Sequence, residues 1–353
     1  MKKISILYVC NEDRATTYQR ILALREMNVD LSLVYTYILN ERITLVKKLY
    51  RAILFRFGIF PERNRENKAI INSIKTNTFD ILFIEKGLSI KPSTLVQAKK
   101  LQPALKIISY TLDDMMNSNN ASFNFRKSVK LYDMLFTNKK YNVAELKNIG
   151  AKNVYYFTNA YSQHVHRPII VTEAEQLIYG YDVSFIGSYE YERVEKIRFL
   201  ADNGIRIKVW GWGKGKKKSN MDHPNIIMTG KYVYEDEYAK VVCSTKVNLC
   251  FLRKENRDTE TTRSIEIPAC RGFMLAERTK EHLDLFEEGS EASYFSSKEE
   301  MLEKIKYYLK HDEERTRIAL NAYKRCIKSR YDYKQQLVNI FSIVLGYDAI
   351  SNN

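Results

Sequence analysis

No run of apolar residues in this 353-residue chain approaches the 18 or so that a membrane-spanning helix needs, so a spanning helix is not expected. The opening Met1-Lys-Lys-Ile-Ser-Ile-Leu-Tyr-Val-Cys10 starts as a secretory signal does. Its apolar part has only a strand's length, however, and Asn11-Glu12-Asp13-Arg14 follows without a small-residue cleavage site. A cytoplasmic location is expected. Cysteine is scarce: Cys10, Cys243, Cys250, Cys270 and Cys326 make an odd set with no C-x-x-C, and four of them sit among apolar neighbours. That pattern argues against a disulfide framework and against a zinc site. His164 and His166 stand close together, but no cysteine or third histidine accompanies them. No structural metal and no bound cofactor are expected.

Acids are missing from one long stretch, between Glu41 and Glu62. Within it, residues 42–57 place Val46, Leu49, Tyr50, Ile53, Leu54 and Phe57 on one helical stripe, with Lys47, Lys48 and Arg51 off it. Such a helix can lie on an anionic membrane surface, as a peripheral attachment to the inner face. It can equally pack its stripe on its own domain and leave the lysines solvated. The whole chain carries a formal charge of +15, a balance that attracts polyanions such as nucleic acid, anionic lipid or a phosphorylated substrate. A second basic cluster, Gly211-Trp-Gly-Lys-Gly-Lys-Lys-Lys218, lacks the interleaved aromatics of a base-stacking platform. It reads as a solvated loop, and a nucleic-acid partner is not expected.

What is present is the composition of a globular protein, with 45% hydrophobic and 12% aromatic residues. The length exceeds what one core usually supports, so two domains are expected. Strand and helix patterns alternate: strands over 4–10, 31–37, 81–85, 106–110, 134–137 and 154–157, with helices between them over 16–27, 66–75, 93–100, 123–131 and 138–149. That order predicts a parallel doubly wound sheet. A less regular stretch over 159–181, carrying Pro168, reads as a connection. The alternation then restarts with strands over 183–186, 205–210, 226–228 and 247–251 and helices over 192–202, 235–243, 299–309 and 312–328. Two α/β Rossmann-like domains in tandem, residues 1–170 and 171–329, would face each other across a cleft. A last helix near 333–345 is placed to cross back onto the first domain.

Two acids with seven residues between them, Asp258 and Glu266, stand before a short helix, a glycine stop and an apolar strand over 273–276. An ionised carboxylate only accepts hydrogen bonds and can take two vicinal hydroxyls of a sugar or ribose at once. Glu266 falls in the first turn of a helical segment over 263–271, where negative charge is tolerated and free N–H groups point outward. Gly272 can supply the left-handed residue that ends that helix. The pair is either a polyol site or two surface acids flanking an ordinary βαβ crossover.

Other segments resemble a known family in order and spacing. They are Phe79-Asp80-Ile-Leu-Phe-Ile-Glu-Lys86-Gly87, Tyr110-Thr-Leu-Asp113-Asp114-Met, Tyr132-Asp133-Met-Leu-Phe136-Thr-Asn-Lys139, Asn148-Ile-Gly150 and Phe185-Ile-Gly187-Ser188 with Arg193. They continue with Trp210-Gly211, Thr229-Gly230, Asn256-Arg257-Asp258, Arg263-Ser-Ile-Glu266-Ile-Pro-Ala269, Phe286-Glu-Glu-Gly289-Ser-Glu291 and Tyr307-Tyr308-Leu309. Together they resemble the spore-maturation CgeB-like glycosyltransferases, a group within the GT-B glycosyltransferases (glycosyl transferases group 1). The resemblance implies a GT-B fold with an N-terminal acceptor domain and a C-terminal donor domain. It implies metal-independent, retaining transfer from a nucleotide-diphosphate sugar to a glycan, lipid-linked or cell-surface acceptor, as in cell-surface polysaccharide synthesis. A sugar-nucleotide epimerase of the same fold, or a non-catalytic protein binding membrane surfaces or polyanions, are the alternatives.

Carried over residue by residue, Glu266 matches the acid that holds the nucleotide ribose. Asp258 takes the place of the acid that contacts the donor sugar, one methylene shorter than the Glu of that pattern. Gly187 and Ser188 let backbone approach the diphosphate and Arg193 neutralises it, unless Arg193 is merely an exposed first-turn residue. Gly211 and the stretch from Thr229 through Gly230 to Tyr232 border the nucleobase. Arg263 reaches phosphate or pairs with Glu266 or Asp258. Asp113 and Asp114 supply a general base or bind an acceptor ring, with a helix N-cap as the other reading. Lys86 and Gly87 touch acceptor or phosphate.

Overall fold

The computed structural model describes residues 3–39, 44–120, 122–212 and 221–346. It divides into two compact units, one running to Thr158 and resuming at Tyr333, the other from Asn159 to Asp332. The first unit contains β1 (Ile4–Asn11), α1 (Thr16–Glu26), β2 (Val29–Tyr37), α2 (Leu45–Arg56), α3 (Glu66–Thr76), β3 (Ile81–Glu85), α4 (Pro92–Leu101), β4 (Lys106–Thr111), α5 (Phe123–Ser128), β5 (Met134–Thr137), α6 (Lys140–Asn148) and β6 (Val154–Tyr156). The second contains α7 (Glu173–Tyr179), β7 (Tyr181–Ile186), α8 (Tyr191–Asp202), β8 (Ile207–Trp210), β9 (Ile226–Met228), α9 (Glu235–Ser244), β10 (Thr245–Cys250), α10 (Arg263–Ala269), β11 (Met274–Glu277), α11 (Lys280–Leu285), β12 (Ser293–Phe295), α12 (Lys298–Tyr308) and α13 (Asp312–Lys328). The last helix, α14 (Tyr333–Leu345), returns to the first unit.

The first sheet has the order β2-β1-β3-β4-β5-β6 and the second β12-β11-β10-β7-β8-β9, with every pairing parallel. Parallel strands are covered on both faces, which is why they read as near-continuous apolar runs. In β1, Leu7 and Val9 enter a core with Ile70, Ile74 and Leu95. Tyr8 turns to the other face, stacks on Phe83 at 4.7 Å and accepts from Arg20 of α1, which packs against α14. In the second unit Val183 and Phe185 of β7 join one core, while Trp210, Cys250 and Met274 join another on the opposite face. All five cysteines are unbonded thiols.

The division falls at Thr158/Asn159 rather than at residue 170. The reason is local: the Tyr161 amide donates to the Tyr331 carbonyl at 3.0 Å and its ring enters the second unit's core. The stretch expected to be an irregular connection contains α7, closed at its start by a capping box of Thr172 and Glu175. The lysine cluster over 213–218 and Arg42 lie outside the described residues. No helix among the described residues is long and apolar enough to cross a membrane.

Candidate functional site

The second sheet reverses its strand order between β7 and β10, since β8 and β9 extend one way and β11 and β12 the other. Such a reversal opens a crevice beyond the C-terminal ends of the two central strands. The segment after β7 is Gly187-Ser188-Tyr189-Glu190, and the segment after β10 runs from Phe251 to Asp258. Arg193, in the first turn of α8, fastens these two segments together. It is 1% exposed. One terminal nitrogen donates to the Ser188 carbonyl at 2.9 Å and to the Ser188 hydroxyl at 3.1 Å, and the other donates to the Phe251 carbonyl at 3.3 Å. The alternative of an exposed first-turn residue is thereby excluded. A second tie crosses the same gap, from Arg253 to Glu190 at 2.8 Å.

Burial, with repulsion from neighbouring Arg263, pushes the Arg193 pKa down to about 10, against the attraction of Glu190 and Asp258. Arg263 donates to Thr261 Oγ1 at 3.1 Å. The Nε of each arginine is buried without a partner among the described residues. Two guanidiniums close enough to repel each other make one electropositive locality, which suits an anion. Because the Ser188 hydroxyl accepts from Arg193, its own proton remains available to another acceptor.

Asp258 lies on the same segment. Its amide donates to the Arg253 carbonyl at 3.0 Å and its carboxylate accepts from Asn256 Nδ2 at 2.7 Å, after a turn in which Arg257 takes a left-handed φ of 47°. Glu266 is buried. One carboxylate oxygen accepts from the Tyr238 hydroxyl at 3.0 Å, and the other lies 3.8 Å from His166 Nε2. A carboxylate has about four lone-pair sites, so Glu266 retains capacity for a ligand hydroxyl. The free N–H groups expected around it are absent: the amides of Ser264, Ile265 and Glu266 already donate to Thr261 and Thr262 carbonyls at 3.0 Å. Nor does Gly272 supply the left-handed residue. Arg271 does, with φ 58°, and Gly272 is needed because a Cβ there would meet Val242 Cγ1 at 2.4 Å.

On the other side of β7, Gly211 and the segment from Thr229 to Tyr232 follow β8 and β9, so the parallel sheet brings them to the same edge as Gly187 and Ser188. Gly211 has φ 95°, and a Cβ there would sit 2.6 Å from the Gly187 carbonyl oxygen. The Gly187 amide is already used by the Trp210 carbonyl at 3.1 Å, so Gly187 contributes close approach and not a donor. Gly230 also has a positive φ, of 65°, and Tyr232 is an exposed ring stacked on Tyr234.

In the first sheet the order reverses between β1 and β3. A cavity of about 370 Å³ opens there, with Asn11, Arg51, Arg63, Glu85, Lys86 and Gly87 in its wall. Asp113 pairs with Lys86 at 2.7 Å and is part-exposed. Asp114 is different: it is fully buried, and its carboxylate accepts from the Met116 amide at 3.0 Å and Asn142 Nδ2 at 2.9 Å. It holds its loop together in a cap-like role, which removes it as a general base for an acceptor hydroxyl.

Sequence reasoning missed several groups. Fully buried Arg20 bonds Glu85 and, through Nε, Tyr8 Oη at 3.1 Å, with Tyr110 beneath its guanidinium at 4.9 Å. The available signal was a charge on the helical stripe of Thr17, Ile21 and Leu24. His282 was also missed. Its Nδ1 donates to the Glu277 carbonyl at 2.6 Å, leaving Nε2 to accept from Ser264 Oγ at 2.7 Å. Ser264 Oγ in turn accepts from the Thr261 amide at 3.0 Å, so a buried neutral histidine holds the start of α10. Among the described residues no group of three or more His, Cys, Asp or Glu side chains is placed to hold a metal ion.

Residues 180–342 match a family model described as glycosyl transferase-like. No curated protein sequence matches the chain. Among solved structures, Anabaena HepE in complex with UDP and glucose aligns with a TM-score of 0.62 at 10% identity, over 96% of this chain and 99% of that one. Sucrose-phosphate synthase from Thermosynechococcus elongatus aligns at 0.67 and 10% identity, over 98% and 100%. A UDP-N-acetylglucosamine 2-epimerase assignment from Listeria monocytogenes, marked putative in its description, aligns at 0.54 and 12%, over the full length of both chains. The fold is that of the GT-B glycosyltransferases, two Rossmann-like α/β domains with parallel sheets.

Proposed function

We propose that the protein is a glycosyltransferase that moves a sugar from a nucleotide-diphosphate donor to a hydroxyl of a glycan, lipid-linked or cell-surface acceptor. The observation that carries this reading is the pair of cations at the strand-order reversal between β7 and β10, where Arg193 ties Ser188 to Phe251 and Arg263 stands beside it. The diphosphate lies against the two guanidiniums and the Ser188 hydroxyl. Glu266 accepts from the ribose hydroxyls, Asp258 from the donor sugar, and Tyr232 flanks the base, with Gly211 and Gly230 keeping the floor free of side chains. As the glycosidic bond breaks, charge gathering on the leaving phosphate is stabilised by these preorganised cations, so the chemistry is metal-independent. The acceptor occupies the cavity of the first unit near Lys86, with Asp113 as its base. The HepE structures with UDP and with UDP-glucose support a nucleotide-sugar ligand for this fold. Within the fold, the reading places the chain with the CgeB-like group that its motifs resemble, and that resemblance implies retention at the anomeric carbon.

Glu266→Gln tests the site while leaving Tyr238 an acceptor. Loss of a charge-assisted bond of about 1.5–3 kcal/mol should lower transfer roughly 10–150-fold with the circular dichroism spectrum unchanged. Unaltered turnover would remove Glu266 from the donor site. The likeness to the epimerase-like Listeria structure favours a second reading, interconversion of the donor sugar itself. NMR of the nucleotide sugar incubated without acceptor separates them, because only an epimerase produces a new sugar.

A further inference from the structure

The helix α2 presents its apolar side to solvent. Projected at 100° per residue, Leu45, Leu49, Ile53, Val46 and Tyr50, with the C-cap Phe57, fall within one arc of about 140°. Leu45 is 82% exposed, Val46 77% and Phe57 72%. No residue of α2 is buried, whereas the next helix, α3, buries Ile70, Ile71 and Ile74. The flank of Arg51 and Phe55 turns inward instead, and both line the cavity wall. An amphipathic helix mounted in this orientation is built to meet something outside the unit. The cations identify what that is. Exposed Lys47 and Lys48 flank the arc, exposed Arg56 lies within it at the C-terminal end of the helix, and no acid occurs from residue 42 to residue 61. Pairing this face with a second copy of itself would bring like cations together in a chain of charge +15. An anionic bilayer offers the complement on both counts, acyl chains for the arc and phosphate headgroups for its basic borders.

We propose that α2 seats the first unit on an anionic lipid surface, lying in the headgroup region with Leu45, Leu49 and Ile53 sunk below the phosphates. The proposal does not depend on the glycosyltransferase reading. The test is flotation of the full chain with vesicles of phosphatidylglycerol and phosphatidylcholine in equal parts, against vesicles of phosphatidylcholine alone, at low and high salt. The protein should float with the anionic vesicles and be released by salt. Lys47→Ser with Lys48→Ser should weaken partitioning about 25-fold, at about fivefold per cation. Leu49→Ser with Ile53→Ser should weaken it at least about tenfold. Both pairs should keep the wild-type melting temperature, since α2 buries nothing. Equal binding to neutral and anionic vesicles, or wild-type binding by either variant, would overturn the proposal. So would a lowered melting temperature of the Leu49 and Ile53 variant, which would place the arc inside the fold. Self-association in sedimentation that this variant abolishes would assign the face to a second copy.

Discussion

Arg193 combines two properties that oppose each other, full burial and a positive charge. The fold tolerates the combination because the guanidinium fork meets two carbonyls and a hydroxyl on separate segments, and because the ring of Phe185 lies 5.4 Å away. Lysine carries the same charge as a point and cannot bridge both segments. Arg193→Lys should therefore lose a charge-assisted bond of about 2 kcal/mol, lowering the melting temperature by roughly 4–8 °C for a unit of this size. Calorimetric affinity for UDP should fall with it, because the Ser188 segment is no longer held. A variant with wild-type melting and affinity would show the tie to be without consequence. The place of Arg193 just after a strand and Gly187-Ser188 was legible in the sequence. Its role as a tie was not, since that depends on how closely a crossover returns to β10. Asp113 and Asp114 show the same limit. Their adjacency at a strand end was readable, but which carboxylate turns inward was decided by Asn142, 28 positions along the chain.

The segment from Asp258 through α10 is short, and its position is set by neighbours more than by its own helix. The chain from Glu277 through His282 and Ser264 to Thr261 pins its start, and Tyr238 with His166 surrounds Glu266 near its middle. Burial lowers the pKa of both histidines; the Glu277 carbonyl partly offsets this at His282 and the charge of Glu266 at His166. Both are thus neutral in the folded state at pH values where an unfolded histidine, with a pKa of about 6.5, already takes up a proton. Their contribution is complete above about pH 6.5 and is lost as pH falls below it, by at most about 1.4 kcal/mol per pH unit for each histidine. Melting should fall accordingly between about pH 7.5 and about pH 5.5. His282→Asn should melt lower than wild type at the upper pH and show a shallower decline, whereas an identical slope would exclude His282 as a source of the pH dependence. None of this support was visible in the spacing of Asp258 and Glu266. By contrast, α7 carried a readable start in Thr172-x-x-Glu175, obscured by Ile170, Leu177 and Ile178, which are exposed and follow no buried stripe.

At the scale of the whole chain, the alternation of strands and helices was legible because parallel strands buried on both faces leave unbroken apolar runs. Strand order depends on distant partners that spacing does not reveal, whereas the return of the last helix to the first unit was expected, and the contacts of α14 show what holds it there. It follows α13 by only a few residues, yet its side chains belong with β3 and β4. Gln336 donates to the Thr158 carbonyl at 2.6 Å and accepts from the Tyr110 hydroxyl at 3.0 Å. Phe341 is fully buried with its ring edge-on to Phe83 at 5.9 Å, and Leu337, Ile340 and Val344 complete the buried stripe. The helix thus completes, beside α1, the cover over the face of the first sheet that carries Tyr8 and Phe83. Phe341→Ala should cost about 3–5 kcal/mol, and the cost should fall on the first unit. Hydrogen exchange is the suitable measurement, because it assigns the loss to particular strands. Protection should drop across β1, β3 and β4 while α12 and α13 keep theirs. A drop confined to α13 and its neighbours would mean that α14 stabilises the unit it follows in sequence and not the one it packs against.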